Sequence, residues 1–327
     1  MKRISIYALA VTALIANVVV ILQGAVVRAT GSGAGCGSHW PTCNGNIVPL
    51  DPTLETGIEF SHRILSLVVL IIGAWLLVRA RKLRAERPGL AAFATISFAF
   101  LVVEALIGGA TVLLGMTGDN TTVARGIWVA SHLVNSLLLI GALAGTVVYA
   151  RKDPPAWPLH IGRQGAVATL WIVGLVGMLV LSFTGGIAAM GNTIFPAESL
   201  VEGIRADFDQ SSHPLIRLRA LHPLIAVSVG VYLFVSLAFA WNIKPVAAAK
   251  RLAQALLGVY VLQMLIGVVN LAFLAPIPLQ LLHLGVAVAA FALLSALGVS
   301  LLGGSAAAQE REPQPAESLV GANLEKI

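Results

Sequence analysis

Four histidines, His62, His132, His222 and His283, stand near the same end of alternate long apolar stretches. Ionisable or ligating side chains within apolar helices are rare and usually functional. Two pairs of imidazoles, each pair facing inward within a group of four helices, suit bis-imidazole ligation of two haem irons. Gly24, Gly108, Gly109, Gly185, Gly186 and Gly267 would leave the width a porphyrin needs, although close helix packing is an equally good use of them. Zinc fits less well. Its sites gather three or four His, Cys or carboxylate ligands, and each group of helices here offers two histidines.

Positioning those side chains requires long membrane-crossing helices, and the composition provides for them. Hydrophobic residues make up 57% of the 327-residue chain and charged residues 11%, against about 25% charged in soluble domains. Mean hydropathy is +0.89. A run of about 20 apolar residues spans a bilayer as a helix, and eight such runs are legible: 4–26, 61–79, 91–114, 128–150, 166–188, 220–241, 252–273 and 279–302. The expected fold is therefore an all-α integral membrane protein in the lipid bilayer. Short loops join the spans, and residues 304–327, rich in Ala, Gln, Glu and Pro, read as a disordered cytoplasmic tail.

Placing the N-terminus inside puts 15 Lys and Arg on the inner side and six on the outer, as the positive-inside rule requires. Both termini are then cytoplasmic. The net charge of +6 is a signal of topology, and no nucleic-acid partner is expected. The first apolar run is too long for a typical signal-peptide core and reads as a retained helix. The chain lacks an Arg- and Ser-rich transit peptide, which favours a bacterial plasma membrane. Cys36 and Cys43 both fall in the first outer loop. The oxidising compartment favours a disulfide there; a redox-active thiol pair is the alternative.

The two halves repeat. LQGAVVRATG (22–31) aligns with FTGGIAAMGN (183–192), SHRILSLVV (61–69) with LHPLIAVSV (221–229), and VVEALIGGA (102–110) with VLQMLIGVV (261–269). His132 then corresponds to His283. An even number of helices per half makes the repeat parallel. The expected architecture is two pseudo-symmetric four-helix bundles, residues 1–152 and 153–303.

The repeat is most informative where it breaks. Glu59 precedes His62 by three residues and shares its helical face if the helix extends that far. The equivalent position before His222 is Arg219. With Arg217, Arg219 could pair with haem propionates, whereas a carboxylate suits a developing cation or a proton transfer. Arg28, another propionate candidate, has Ala189 as its counterpart, and the first half alone carries the Cys loop with Trp40. The first half is thus read as the reaction site and the second as an electron-transfer or structural site. Glu104, opposite Gln263 in the repeat, is expected to be protonated and hydrogen-bonded across the pseudo-twofold axis. His39, His160 and His213 have no partner in the repeat and are expected in solvent.

These motifs resemble the haem A synthase family over nearly the whole chain. GAVVRATGSGAGCGSHWPTCNG (24–45) is similar to its first-loop pattern, IEFSHR (58–63) to its Glu-x-x-His-Arg element, and RLRALHP (217–223) to its second-half histidine motif. Gly37-Ser38-His39 departs from the usual Pro-Asp before Trp40, and Glu104 stands where a Gln is common. The resemblance implies an eight-helix oxidoreductase that converts a ring methyl of haem O to the formyl group of haem A. It implies that His62 and His132 hold the substrate haem, that His222 and His283 ligate a haem b cofactor, and that Glu59 assists at the oxidised carbon. Haem O synthase and an electron acceptor are the implied partners, and self-association is left open. The alternative is a non-catalytic di-haem electron carrier, which four histidines alone would fit equally well. A transporter built from the repeat would need broken helices with polar linings, and apart from Glu104 and Gln263 few such residues are seen.

Overall fold

The computed structural model describes residues 4–159, 165–243 and 247–303. Among these residues eight helices are long and apolar enough to cross a membrane. The long helices are α1 (Ile6–Ala29), α2 (Leu54–Lys82), α3 (Pro88–Leu113), α4 (Val123–Ala150), α5 (Gly165–Ile194), α8 (Leu221–Ile243), α9 (Ala247–Ala272) and α10 (Ile277–Leu302), with short α6 (Leu200–Phe208) and α7 (Pro214–Arg219) between α5 and α8. This is the architecture of a multi-pass membrane protein. His160, the tail beyond residue 303, and Lys2, Arg3, Arg163 and Lys244 lie outside the described residues.

Local chemistry sets the helix ends. Ser5, Thr53 and Thr122 cap α1, α2 and α4 by accepting the backbone N–H of Ala8, Thr56 and Arg125. Each cap satisfies one of the donors a first turn leaves open. Pro88 and Pro214 open α3 and α7, where a missing N–H costs nothing. The sequence reading placed the second span seven residues too late. The Thr53 cap starts α2 at Leu54, so Glu59 and His62 both lie inside regular helix.

Contacts close a ring of four helices in each half: α1–α2–α3–α4 and α5–α8–α9–α10. Among the described residues two large apolar clusters fill the rings. One is built on Leu9, Leu76, Leu90, Leu101 and Leu143, the other on Leu181, Leu233, Leu256, Phe291 and Leu294. A smaller one, on Ala130, Ile187, Met190 and Leu215, joins α4, α5 and α7. The rings meet where α4 packs on α10 and α5. Accordingly α4 is the most enclosed span, with 72% of its apolar window buried, and α10 follows at 50%, against 11% for α9. Both central helices carry a histidine of interest. The outward faces of the remaining spans expose Leu67, Ile71, Val176, Phe234, Leu265 and similar residues, as lipid contact demands.

Small residues let the helices approach. A Cβ on Gly298 would fall 1.9 Å from Trp171, and one on Gly145 would fall 2.3 Å from Phe93. The Trp171 indole N–H donates to the Leu294 carbonyl at 2.9 Å, and the Tyr260 hydroxyl donates to the Ala226 carbonyl at 2.7 Å. In lipid, packing of this kind with a few interhelical hydrogen bonds takes the place of the hydrophobic driving force.

Candidate functional site: two histidine pairs facing glycines

Each of the four histidines faces a glycine on the neighbouring helix. A Cβ on Gly24 of α1 would stand 3.1 Å from the His62 ring of α2, and one on Gly108 of α3 would stand 3.6 Å from His132 of α4. The second half repeats this: Gly185 of α5 against His222 of α8 at 2.9 Å, and Gly267 of α9 against His283 of α10 at 3.0 Å. The glycines are repeat partners of one another, as are the histidines. Four of the six glycines singled out from the sequence thus border histidine rings. The other two serve packing: Gly109 lies under the Trp40 ring, and Gly186 lies against Ala130.

In the second half the histidine pair has the spacing of a bis-imidazole metal site. An imidazole nitrogen bonds a metal at roughly 2 Å, so two rings flanking one ion have centroids roughly 6 Å apart. The His222 and His283 centroids are 6.3 Å apart with planes at 80°. Nδ1 of His222 faces the Leu181 carbonyl at 3.2 Å. With that N–H donated, Nε2 keeps its lone pair for a metal. Nδ1 of His62, of His132 and of His283 is buried without a hydrogen-bond partner, a costly arrangement in the absence of a ligand; of the three, His132 Nδ1 has a carboxylate oxygen near it, Glu104 Oε1 at 3.3 Å. Among the described residues no three His, Cys, Asp or Glu converge on one point, so the donor set is one of imidazole pairs rather than a zinc cage.

Glu59 is 4% exposed, so it is not a solvated loop carboxylate. Its Oε2 accepts the Cys36 backbone N–H at 2.8 Å, and its Oε1 pairs with Arg63. Arg63 also donates to the carbonyls of His39 and Thr42 at 2.7 and 2.6 Å. Cys36 and Cys43 form a disulfide. The closed loop is therefore tied to the helix that carries His62. It is pressed close as well: a Cβ on Gly35 would fall 2.5 Å from the Glu55 backbone, and Thr56 donates its hydroxyl to the Gly35 carbonyl at 2.7 Å. Trp40 extends from this loop across Gly109, one residue from the glycine that faces His132.

The arginines are engaged elsewhere in the protein. Arg28 donates to the Ala189 carbonyl at 2.9 Å, to the Thr193 hydroxyl at 2.6 Å and to Gln280 Oε1 at 2.7 Å. It reaches from α1 into the second half and clasps its own repeat counterpart. Arg219 pairs with Asp207 and donates to Asn192 at 3.0 Å and to the Gly203 carbonyl at 3.1 Å, while Arg217 donates to the Gln210 carbonyl at 3.3 Å. His39 is exposed. His213 is not free in solvent: its Nδ1 caps α7 at Leu215, and its ring lies 4.8 Å from Phe195.

Sequence reasoning missed three contributors and misplaced a fourth. Arg125 is buried and donates to the carbonyls of Gly118 and Asn120 at 2.7 and 2.8 Å. Asn135 and Ser136 both donate to Glu104. Glu104 does not reach across the pseudo-twofold. Its partners all sit on α4 of its own half, and His132 Nδ1 lies 3.3 Å from its Oε1. The signal was present, because Glu104 and Gln263 each stand four residues before the glycine that faces a histidine.

Over 290 residues the chain is 42% identical to a Thermus thermophilus protein named protoheme IX farnesyltransferase, covering 88% of this chain and 46% of that protein. It is 31% identical to the heme A synthase of Halalkalibacterium halodurans over 163 residues, 48% of this chain and 51% of that one. The heme A synthase of Staphylococcus haemolyticus is 32% identical over 216 residues, 63% of this chain and 67% of its own. The chain spans about half the length of the first two. Residues 7–295, which hold every histidine pair, facing glycine and loop contact described above, match one family throughout, and the chain belongs to the COX15-CtaA family of cytochrome oxidase assembly proteins.

Proposed function

We propose that the protein is a haem A synthase that oxidises the ring methyl of haem O to the formyl group of haem A. Two pseudo-symmetric bundles, residues 1–152 and 153–303, divide the work. His62 and His132 hold the substrate haem in the first. His222 and His283 hold a haem b in the second, where it would supply one-electron transfer. The observation that carries this reading is an asymmetry set on a repeated frame. Both halves have a His–Gly pair of pairs, but only the first has a buried carboxylate, Glu59, fixed one turn from its first histidine.

The protein's own part in the chemistry follows from that carboxylate. Oxidation of the methyl to an alcohol, and again to a hydrate that loses water, each time removes two electrons and two protons. Water supplies the oxygen, and an external electron acceptor takes the electrons by way of the second-half haem. Each oxidation builds positive charge at the carbon. We assign Glu59 to stabilise that charge. Its two oxygens are held by the Cys36 N–H and Arg63, so the side chain is set before the charge forms. The disulfide loop fixes the Cys36 donor and, with Trp40, covers this end of the first bundle. Water reaching the oxidised carbon would pass under that loop.

The orientation we assign puts the histidine end and disulfide loop on the outer face of a bacterial plasma membrane, with both termini cytoplasmic. More than half of the Thermus relative lies outside the match. We read that remainder as the seat of the farnesyl transfer in its name. Such a reaction, acting on a haem, would feed a methyl oxidase directly, so a haem farnesyltransferase is the expected upstream partner. The deciding experiment is to isolate Glu59→Gln protein from a haem-O-producing host. The reading expects bound haem without formyl product, and wild-type yields of haem A from this variant would refute the role of Glu59.

A further inference from the structure

Glu104 has no place in the chemistry above, yet, as Glu59 is, it is held by two hydrogen-bond donors next to a histidine of the pairs. Its Oε1 accepts the Ser136 hydroxyl and lies 3.3 Å from His132 Nδ1, and its Oε2 accepts the Asn135 amide at 2.5 Å. Asn135 also donates to the Phe100 carbonyl at 3.1 Å, which fixes its amide. Both hydrogen-bond partners, Asn135 and Ser136, are donors, so the carboxylate is arranged as an acceptor, with the His132 Nδ1 within reach.

The second half lacks the whole arrangement, not one residue of it. Gln263 replaces Glu104, and the residues corresponding to Asn135 and Ser136 are Val286 and Ala287. Gln263 still meets its histidine, with its Nε2 3.2 Å from His283 Nε2, but its Oε1 is buried without a partner. Three concerted differences at one depth describe a built acceptor in one half and a neutral amide in the other. A solitary buried carboxylate would be a liability in a membrane. One supplied with two fixed donors, and with the His132 Nδ1 3.3 Å away, is a built acceptor.

We propose that Glu104 is a positioning residue acting through His132. It takes the Nδ1–H, fixes the ring with Nε2 free for iron, and makes His132 a stronger electron donor than His283. A carboxylate behind a ligating imidazole raises ligand basicity, and hydrogen bonding behind the axial ligand is one lever on haem potential. A more basic ligand favours ferric iron. The first-half iron is then the harder of the two to reduce, and electrons leaving the substrate run downhill toward the second half. This rests on the reading of His62 and His132 as the substrate-haem ligands.

The test uses the full chain purified in detergent from a haem-O-producing host, with redox titration followed optically and by electron paramagnetic resonance. The second-half signal is assigned by its loss in His283→Ala. Glu104→Gln is isosteric and is expected to keep both haems. Its first-half midpoint should shift to a more positive potential and its low-spin signal toward that of the second half, which should itself stay unmoved. Both haems bound with the first-half potential and signal unchanged would overturn the proposal. Should Glu104→Gln shed the first-half haem, Glu104→Asp decides the matter. Retention there supports an acceptor at this position, and loss there as well overturns it. Failure of the underlying reading is seen separately, as unchanged haem content in His132→Ala.

Discussion

Replacing the facing glycines by alanine should weaken haem binding in an order set by the geometry. A new Cβ would lie 2.9 Å from the His222 ring in Gly185→Ala, 3.0 Å from His283 in Gly267→Ala, 3.1 Å from His62 in Gly24→Ala and 3.6 Å from His132 in Gly108→Ala. Ordinary contact begins at 3.4 Å. Three rings must therefore move, the first by about 0.5 Å, while His132 need not move at all. A misfit of this kind in a packed interior costs about 1–3 kcal/mol. At 1.4 kcal/mol per tenfold, that is a loss of about 5- to 150-fold in haem affinity. The assay is haem retained per polypeptide when purified variants are challenged with an apoglobin scavenger, with thermal unfolding in detergent to show that each is folded. Gly185→Ala should lose haem fastest, Gly267→Ala and Gly24→Ala should follow, and Gly108→Ala should match wild type. Folded Gly185→Ala that holds haem as well as wild type would refute the assignment of these histidines as ligands. So would Gly108→Ala losing haem as fast as Gly185→Ala.

Other outcomes follow from the contacts around the site. Arg28→Ala strands the Gln280 oxygen between the halves, whereas the Ala189 carbonyl keeps the Thr193 hydroxyl; an unpaired buried acceptor costs about 1–3 kcal/mol, so its melting temperature in detergent should fall while that of Arg217→Ala stays near wild type. Cys36→Ser/Cys43→Ser opens a loop of about eight residues, worth about 2.5 kcal/mol by chain entropy. Product formation should fall further than haem content in that variant, because the Cys36 N–H that holds Glu59 is freed, and a proportional fall in both would count against the loop's positioning role. Arg63→Ala removes the ion pair with Glu59 and the donors to the His39 and Thr42 carbonyls. It should show a similar split between haem content and haem A yield in extracts.

The helices and the four histidines were legible because membrane spans are written in composition, and because a repeat marks positions twice. His62 and His222, or Gly24 and Gly185, draw attention to each other in a way that a single occurrence does not. The start of α2 was less legible. Apolar runs find the lipid-crossing part of a helix, while the Thr53 cap extends α2 into a polar segment that hydropathy cannot see. Arg28, Arg217 and Arg219 were judged by charge and level alone. Charge says that a guanidinium needs acceptors; the protein acceptors it finds here, the Ala189 carbonyl for Arg28 and Asp207 for Arg219, are set by tertiary packing that charge does not show. Glu104 was the instructive case. It was weighed against Gln263 as a similar polar residue, but the meaning lay in Asn135 and Ser136 on the next helix, whose replacement by Val286 and Ala287 changes the site's character.

The central claim is that this protein turns the methyl of haem O into a formyl group. It is tested most directly by chromatography of haems extracted from a host that makes haem O but no haem A, with and without the chain expressed. Haem A or its hydroxylated precursor is expected only when the chain is present, and neither from the His62→Ala variant. Haem O unchanged beside a folded, haem-loaded protein and a competent electron acceptor would contradict it and leave an electron carrier built on the same four histidines.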